Sequence, residues 1–138
     1  MSDATTILLI DGNTQDRECY AQYLQATSSN YDVVQAETGR SGLDLCARQP
    51  IDCVVLEIDL PDMSGFEVLA KLVPRASLPE IAVIVLTRLH NHFLLELAIK
   101  NGAQAALDRN LASGDLLERT ILRAISTVQK DMKRARPT

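Results

Sequence analysis

The 138 residues leave room for one core and one domain, and a formal net charge of −4 lacks the basic balance that general nucleic-acid binding requires. A hydrophobic share of 46% with only 4% aromatics and no Trp suits a core of Leu, Ile, Val and Ala, the material of buried parallel strands. No run approaches the roughly 20 apolar residues of a membrane span, and the polar start, MSDATT, leads into a short apolar run, so no leader is expected and the cytoplasm is the expected compartment.

The first apolar run, residues 7–10, ends at Asp11 and Gly12. The second covers residues 31–36, and a helix is expected over about residues 40–48. The third run, residues 53–58, contains Glu57 and leads into LEIDLPDMSG, with Asp59 two residues further on. Phe66, Leu69 and Leu72 then fall on one helical stripe that Pro74 limits. The fourth run, residues 81–86, precedes Thr87 and Arg88, and Leu94, Leu97 and Ala98 supply the next helix face, with Gly102 placed to end it. A weaker fifth run, residues 103–107, ends at Asp108 and Arg109. Leu117, Ile121, Ala124, Ile125 and Val128 form the stripe of the last helix.

Runs that are unbroken rather than alternating indicate strands covered on both faces. Five β-α units predict an α/β fold: a single doubly wound domain, a five-stranded parallel sheet in the flavodoxin-like order 2-1-3-4-5, with helices on both faces. The domain is expected over residues 1–128, with residues 129–138 a basic helix end or linker carrying Lys130, Lys133, Arg134 and Arg136. From Asp115 onward there are six basic and three acidic residues, which leaves −7 on the rest. In such sheets ligands bind beyond the carboxyl ends of the strands. The residues at those ends, Asp11, Gly12, Glu57, Asp59, Thr87, Arg88 and Arg109, are therefore the candidate pocket.

These residues and their surroundings resemble the receiver domains of two-component response regulators (CheY-like). The resemblance runs from about Thr6 to Val128 and rests on ILLIDGN with Arg17 downstream, VVLEIDLPDMSGFEVL, VIVLT, and NGAQAAL before a basic residue. It implies a phosphoacceptor aspartate on the third strand, Mg²⁺ held by acids of the first and third strands, and a lysine on the fifth. It also implies a hydroxyl and an aromatic that switch the face of the fourth helix, fifth strand and fifth helix.

This chain departs from that pattern. Gly12 replaces the second acid, Glu57 occupies the phosphoacceptor position, Arg109 replaces the lysine, Asn110 stands where a proline is usual, and Ala106 replaces the switching aromatic. Asp11 and Thr87 keep their types. Glutamate at 57 reaches about 1.5 Å further than aspartate, and a misplacement of about 1 Å costs on the order of a hundredfold in reaction rate. The expectation is an atypical, degenerate receiver (a pseudo-receiver) that acts by protein–protein interaction with little or no aspartyl phosphorylation and no enzymatic activity of its own. The alternative is a receiver that accepts a phosphoryl group from a histidine kinase with Mg²⁺, on Asp59 or Glu57. No cofactor is expected; Mg²⁺, on Asp11, Glu57 and Asp59, would bind weakly.

Glu57 is expected to pair with an arginine, either Arg109 or Arg88, and the sequence does not choose between them. The expected partner is a histidine kinase or another signalling protein. A homodimer would use the fourth-helix, fifth-strand and fifth-helix face, with Thr87 and Ala106 as its switch residues. Cys19, Cys46 and Cys53 have no metal-ligand spacing and are expected as buried free thiols. Tyr20, Tyr23 and Phe66 are expected as helix-face packing, and His90 and His92 as surface histidines.

Overall fold

A computed structural model describes residues 4–77 and 79–135. In chain order the elements are β1 (Thr5–Ile10), α1 (Thr14–Thr27), β2 (Tyr31–Ala36), α2 (Gly39–Arg48) and β3 (Cys53–Leu56). They continue with α3 (Gly65–Leu72), β4 (Ala82–Thr87), α4 (His92–Lys100), β5 (Ala105–Asp108) and α5 (Gly114–Ala135). All neighbouring strands pair in parallel, and the sheet order is β2-β1-β3-β4-β5. The expected fold, a doubly wound five-stranded parallel sheet with helices on both faces, is what forms.

Two apolar layers cover the sheet. On one face Leu8, Ile10, Val54, Leu56, Val83 and Val85 pack with Val68, Leu69 and Ala98 from α3 and α4. On the other, Ile7, Leu9, Val55, Ile84 and Leu86 meet Ala21 and Leu24 of α1 and Leu117, Ile121 and Ala124 of α5. Burial of β1, β3 and β4 on both faces is why their sequences run apolar without alternation.

Element ends explain where polar groups gather. α1 begins at the Asn13 cap, whose side chain accepts from the Asp16 N–H at 2.9 Å. α3 ends two residues before Pro74. α4 closes at Gly102, whose φ of 110° suits a residue without Cβ.

Two strand boundaries differ from the sequence reading. β3 stops at Leu56 rather than Ile58, because the N–H groups of Ile58 and Asp59 turn onto the Glu57 carboxylate. β5 begins at Ala105 because the Ala103 N–H is still used by the α4 terminus, bonding Ala98 O at 3.1 Å. α5 runs on without a break past Val128 to Ala135, with Met132 packed against the core; the last residues of the basic tail, 136–138, lie outside the described residues. No helix among the described residues is long and apolar enough to cross a membrane.

Candidate functional site

The registers bring the strand ends together. Ile10 pairs with Leu56, Leu56 with Val85, and Thr87 with Asp108, so Asp11, Glu57, Thr87 and Arg109 leave the sheet on one edge. A cavity of about 350 Å³ opens there, lined by Asp11, Gly12, Asn13, Glu57, Asp59, Leu60, Pro61, Arg88 and Leu89.

Glu57 is 3% exposed, and its carboxylate is held by the backbone. Oε2 accepts the N–H groups of Ile58 (2.6 Å) and Asp59 (3.2 Å), and Oε1 accepts the N–H of Arg88 at 3.1 Å. One side chain thereby ties the β3–α3 turn to the residue following β4. The close approach of α3 fixes this turn: a Cβ on Gly65 would lie 2.4 Å from Glu57 O and 2.7 Å from Ile58 Cα. The Gly65 N–H also bonds Ile58 O at 2.7 Å. Here glycine is needed for space.

The expected Glu57–arginine ion pair does not form. Among the described residues no guanidinium bonds Glu57. Nη1 of Arg109 lies 3.5 Å from Asp11 Oδ2, and its Nη2 binds Asp16 Oδ2. Nη2 of Arg88 binds that same Asp16 oxygen. Three backbone N–H groups already hold the Glu57 carboxylate, filling three of its roughly four lone-pair sites, while the guanidinium groups of Arg88 and Arg109 gather on Asp16 and Asp11 instead. The Arg109 guanidinium also sits over the Tyr20 ring, 5.7 Å from its centroid. Thr87 is fully buried, and its hydroxyl accepts the Leu89 N–H at 3.1 Å rather than meeting Glu57. Ala106 is half-buried beside Val85.

Asp11 accepts the Asn13 N–H on Oδ1 at 2.8 Å. Burial raises its pKa above the usual 3.8, opposed by the Asn13 bond and by Arg109, and reinforced by the Glu57 charge. Hydrogen bonding to Asp16 raises the pKa of Arg88 and keeps it cationic. Buried Arg17 bonds Asp11 O at 2.6 Å and Gln35 Oε1 at 2.9 Å, which fixes the end of β1. The Gly12 backbone faces Pro61, and a Cβ there would meet Pro61 Cδ at 3.0 Å.

A Mg²⁺ ion takes about six oxygens near 2.0–2.1 Å, several of them water, and is held by one or two carboxylates; here Asp11 and Glu57 would have to hold it. Each Glu57 oxygen already accepts an N–H, Gly12 supplies no ligand, and an Arg109 nitrogen lies 3.5 Å from Asp11. Asp59 is exposed beyond the turn. No group of three or more His, Cys, Asp or Glu suited to a metal occurs among the described residues.

Several residues sit differently from the sequence reading. Cys19 is exposed and Cys46 half-buried; only Cys53 is fully buried. The inward stripe of α1 is Arg17, Ala21 and Leu24, and Cys19 falls off it. Tyr20 packs as expected but is also the platform under Arg109, and its hydroxyl donates to Ala112 O at 3.0 Å. Tyr23 is 39% exposed with its ring against Gly114 of α5, and Phe66 packs against the core. His90 and His92 are surface residues, paired with Asp108 and Glu96. Asp16 was missed as a site residue. Its signal was its place three residues after the Asn13 cap, which sets it at the start of α1 near the strand ends.

The family model of the response regulator receiver domain matches residues 7–121. The chain belongs to this family. Receiver domains serve two-component response regulators, and some of the relatives carry that term in their own names. A cyclic di-GMP phosphodiesterase of Thermotoga maritima is 30% identical over 98 residues, 71% of this chain and 25% of the relative. The nitrate/nitrite response regulator NarL of Escherichia coli is 28% identical over 116 residues, 84% of this chain and 53% of that protein. The chain spans about a quarter of the length of the first curated relatives it matches. Among solved structures, a receiver domain from Clostridium thermocellum superposes with a TM-score of 0.78 at 26% identity, covering 91% of this chain and 98% of the other. A CheY-like receiver domain from Methanospirillum hungatei gives 0.79 at 24% identity, covering 93% and 98%.

Proposed function

We propose that this receiver domain is a degenerate one, working as a protein-interaction module with little or no phosphorylation at the third-strand acid. The observation that carries this is the Glu57 carboxylate, buried and engaged on both oxygens by the N–H groups of Ile58, Asp59 and Arg88. These amides tether both oxygens, which fixes the carboxylate's orientation and damps its nucleophilicity, and reactive geometry tolerates misplacement poorly. Here the backbone amides already hold the charge that a phosphoryl oxygen would bring. Arg109 and Arg88 place two cations at the pocket edge, where their charge takes over part of the work of a metal ion. Mg²⁺ binding is weak on this reading.

The partner is a histidine kinase or another signalling protein, recognised by surface complementarity. A homodimer through α4, β5 and α5 belongs to the same proposal, and the domain has no catalytic activity of its own. The test is intact-protein mass spectrometry after incubation with acetyl phosphate and Mg²⁺. The proposal expects no phosphorylated species. A stoichiometric adduct mapped to Glu57 or Asp59 would sink it and install the phosphorylatable reading.

A further inference from the structure

Asp16 lies in the first turn of α1, yet two other elements meet on it. Its Oδ2 accepts from Nη2 of Arg88, just past β4, and forms an ion pair with Nη2 of Arg109, just past β5. The two arginines are not equally placed. Arg109 is 8% exposed, stacks on Tyr20, and has Asp11 as a second anion. Its Nη1 is buried without a hydrogen-bond partner among the described residues. The side chain of Arg88 is 48% exposed, and Asp16 is its one ion-pair partner among the described residues.

Arg88 is also the one residue common to the linings of two neighbouring cavities. The first is the 350 Å³ cavity over Glu57, and the second, of about 330 Å³, is lined by Asp16, Cys19, Tyr20, Arg109 and Asn110. Its backbone N–H is fixed on Glu57 Oε1 while its guanidinium reaches α1. The side chain thus lies as a bar between the two cavities.

We propose that Asp16 is a positioning residue that clasps the segments after β4 and β5 to α1 and keeps Arg88 barred across the mouth of the Glu57 cavity. One carboxylate oxygen offsets two guanidinium charges that would otherwise repel each other. When Asp16 loses its charge, the Arg88 guanidinium loses its one ion-pair partner among the described residues and swings out. Arg109 stays largely in place on Asp11 and Tyr20. The clasp makes α1 and the β4–α4 loop one mechanical unit, so a partner that engages Asp16 opens the Glu57 cavity. This stands whether or not Glu57 accepts a phosphoryl group.

The test is hydrogen–deuterium exchange on the full chain carrying Asp16→Asn, which keeps the size of the side chain and leaves the Asp16 N–H on the Asn13 cap. The clasp predicts that exchange at residues 88–91 quickens by about threefold or more, with a smaller rise at residues 109–111 and none in β3. Wild-type protection at residues 88–91 would overturn it. Should D16N raise exchange throughout, including β3, the variant Arg88→Gln decides. R88Q must then quicken residues 88–91 while leaving 109–111 unchanged, and unchanged protection at 88–91 refutes the clasp. In the double variant, D16N and R88Q must not add at residues 88–91, because both break the same contact; additive rises would also refute it.

Discussion

Glu57→Gln is the sharpest probe of the pocket, because it removes the charge and one acceptor while keeping the shape. The carboxylate serves three N–H donors, two on Oε2 and one on Oε1. A glutamine has one carbonyl oxygen, so its amide –NH₂ must face a donor on one side. Leaving a buried N–H unsatisfied costs about 1–3 kcal/mol, and the surviving bonds lose their charge assistance, about 1 kcal/mol more. Against this, the variant relieves the burial of a carboxylate whose charge also opposes ionisation of Asp11. The donor loss wins, since those amides point at the side chain from a turn pinned by Gly65 and bond no other group among the described residues. The net expectation is about 2–3 kcal/mol of lost stability. For a domain of this length that is a Tm lower by about 6–10 °C. Thermal unfolding followed by circular dichroism measures it. A Tm within about 1 °C of wild type, or above it, would refute the claim that Glu57 is a structural carboxylate.

Gly65→Ala should destabilise by about 3 kcal/mol, since its Cβ collides with backbone atoms rather than a side chain that can give way; urea unfolding gives the value. Arg109→Lys should lower stability by about 1–2 kcal/mol, because an ammonium cannot span Asp11 and Asp16 while stacking on Tyr20; the same melts check it. The pH dependence has a defined sign. Bonding to the Asn110 N–H, with His90 adding to it, holds the pKa of Asp108 below the usual 3.8. Its contribution to stability is therefore full above about 3.8 and fades as pH falls through the lowered value. Asp108→Asn should flatten the acid limb of a stability–pH profile below about pH 4, and an unchanged slope there would contradict the assignment. Burial raises the pKa of Asp11, so its contribution has the opposite sign: present below about 3.8 and lost as pH climbs through the raised value.

Most of the fold was legible because burial on both faces writes itself as unbroken apolar runs, and five such runs with helical spacers leave few topologies. The edge where Asp11, Glu57, Thr87 and Arg109 emerge followed from strand order alone. What the residues did not reveal is which charges meet. Attraction between Glu57 and an arginine was the natural inference from charge, yet the carboxylate folds back onto Ile58 and Asp59, a choice made by backbone geometry that no pairwise pattern encodes. Asp16 was overlooked for a related reason: a helical residue reaches the strand ends only once the Asn13 cap fixes where α1 starts. Cys19 was misjudged because the inward positions of α1 are those of Arg17, Ala21 and Leu24, leaving Cys19 on the outer side. The end of β3 moved for the same cause as the missing ion pair, since the N–H groups that would extend the ladder are the ones Glu57 takes.

The most direct measurement of the central claim is an amide-resolved NMR titration of the full chain with millimolar Mg²⁺ and beryllofluoride. If Glu57 occupies the place of the phosphoryl group, the Ile58, Asp59 and Arg88 N–H resonances stay where they are at every concentration. Saturable shifts of those three amides, accompanied by movement of Thr87, would contradict the account and restore this pocket to phosphotransfer chemistry.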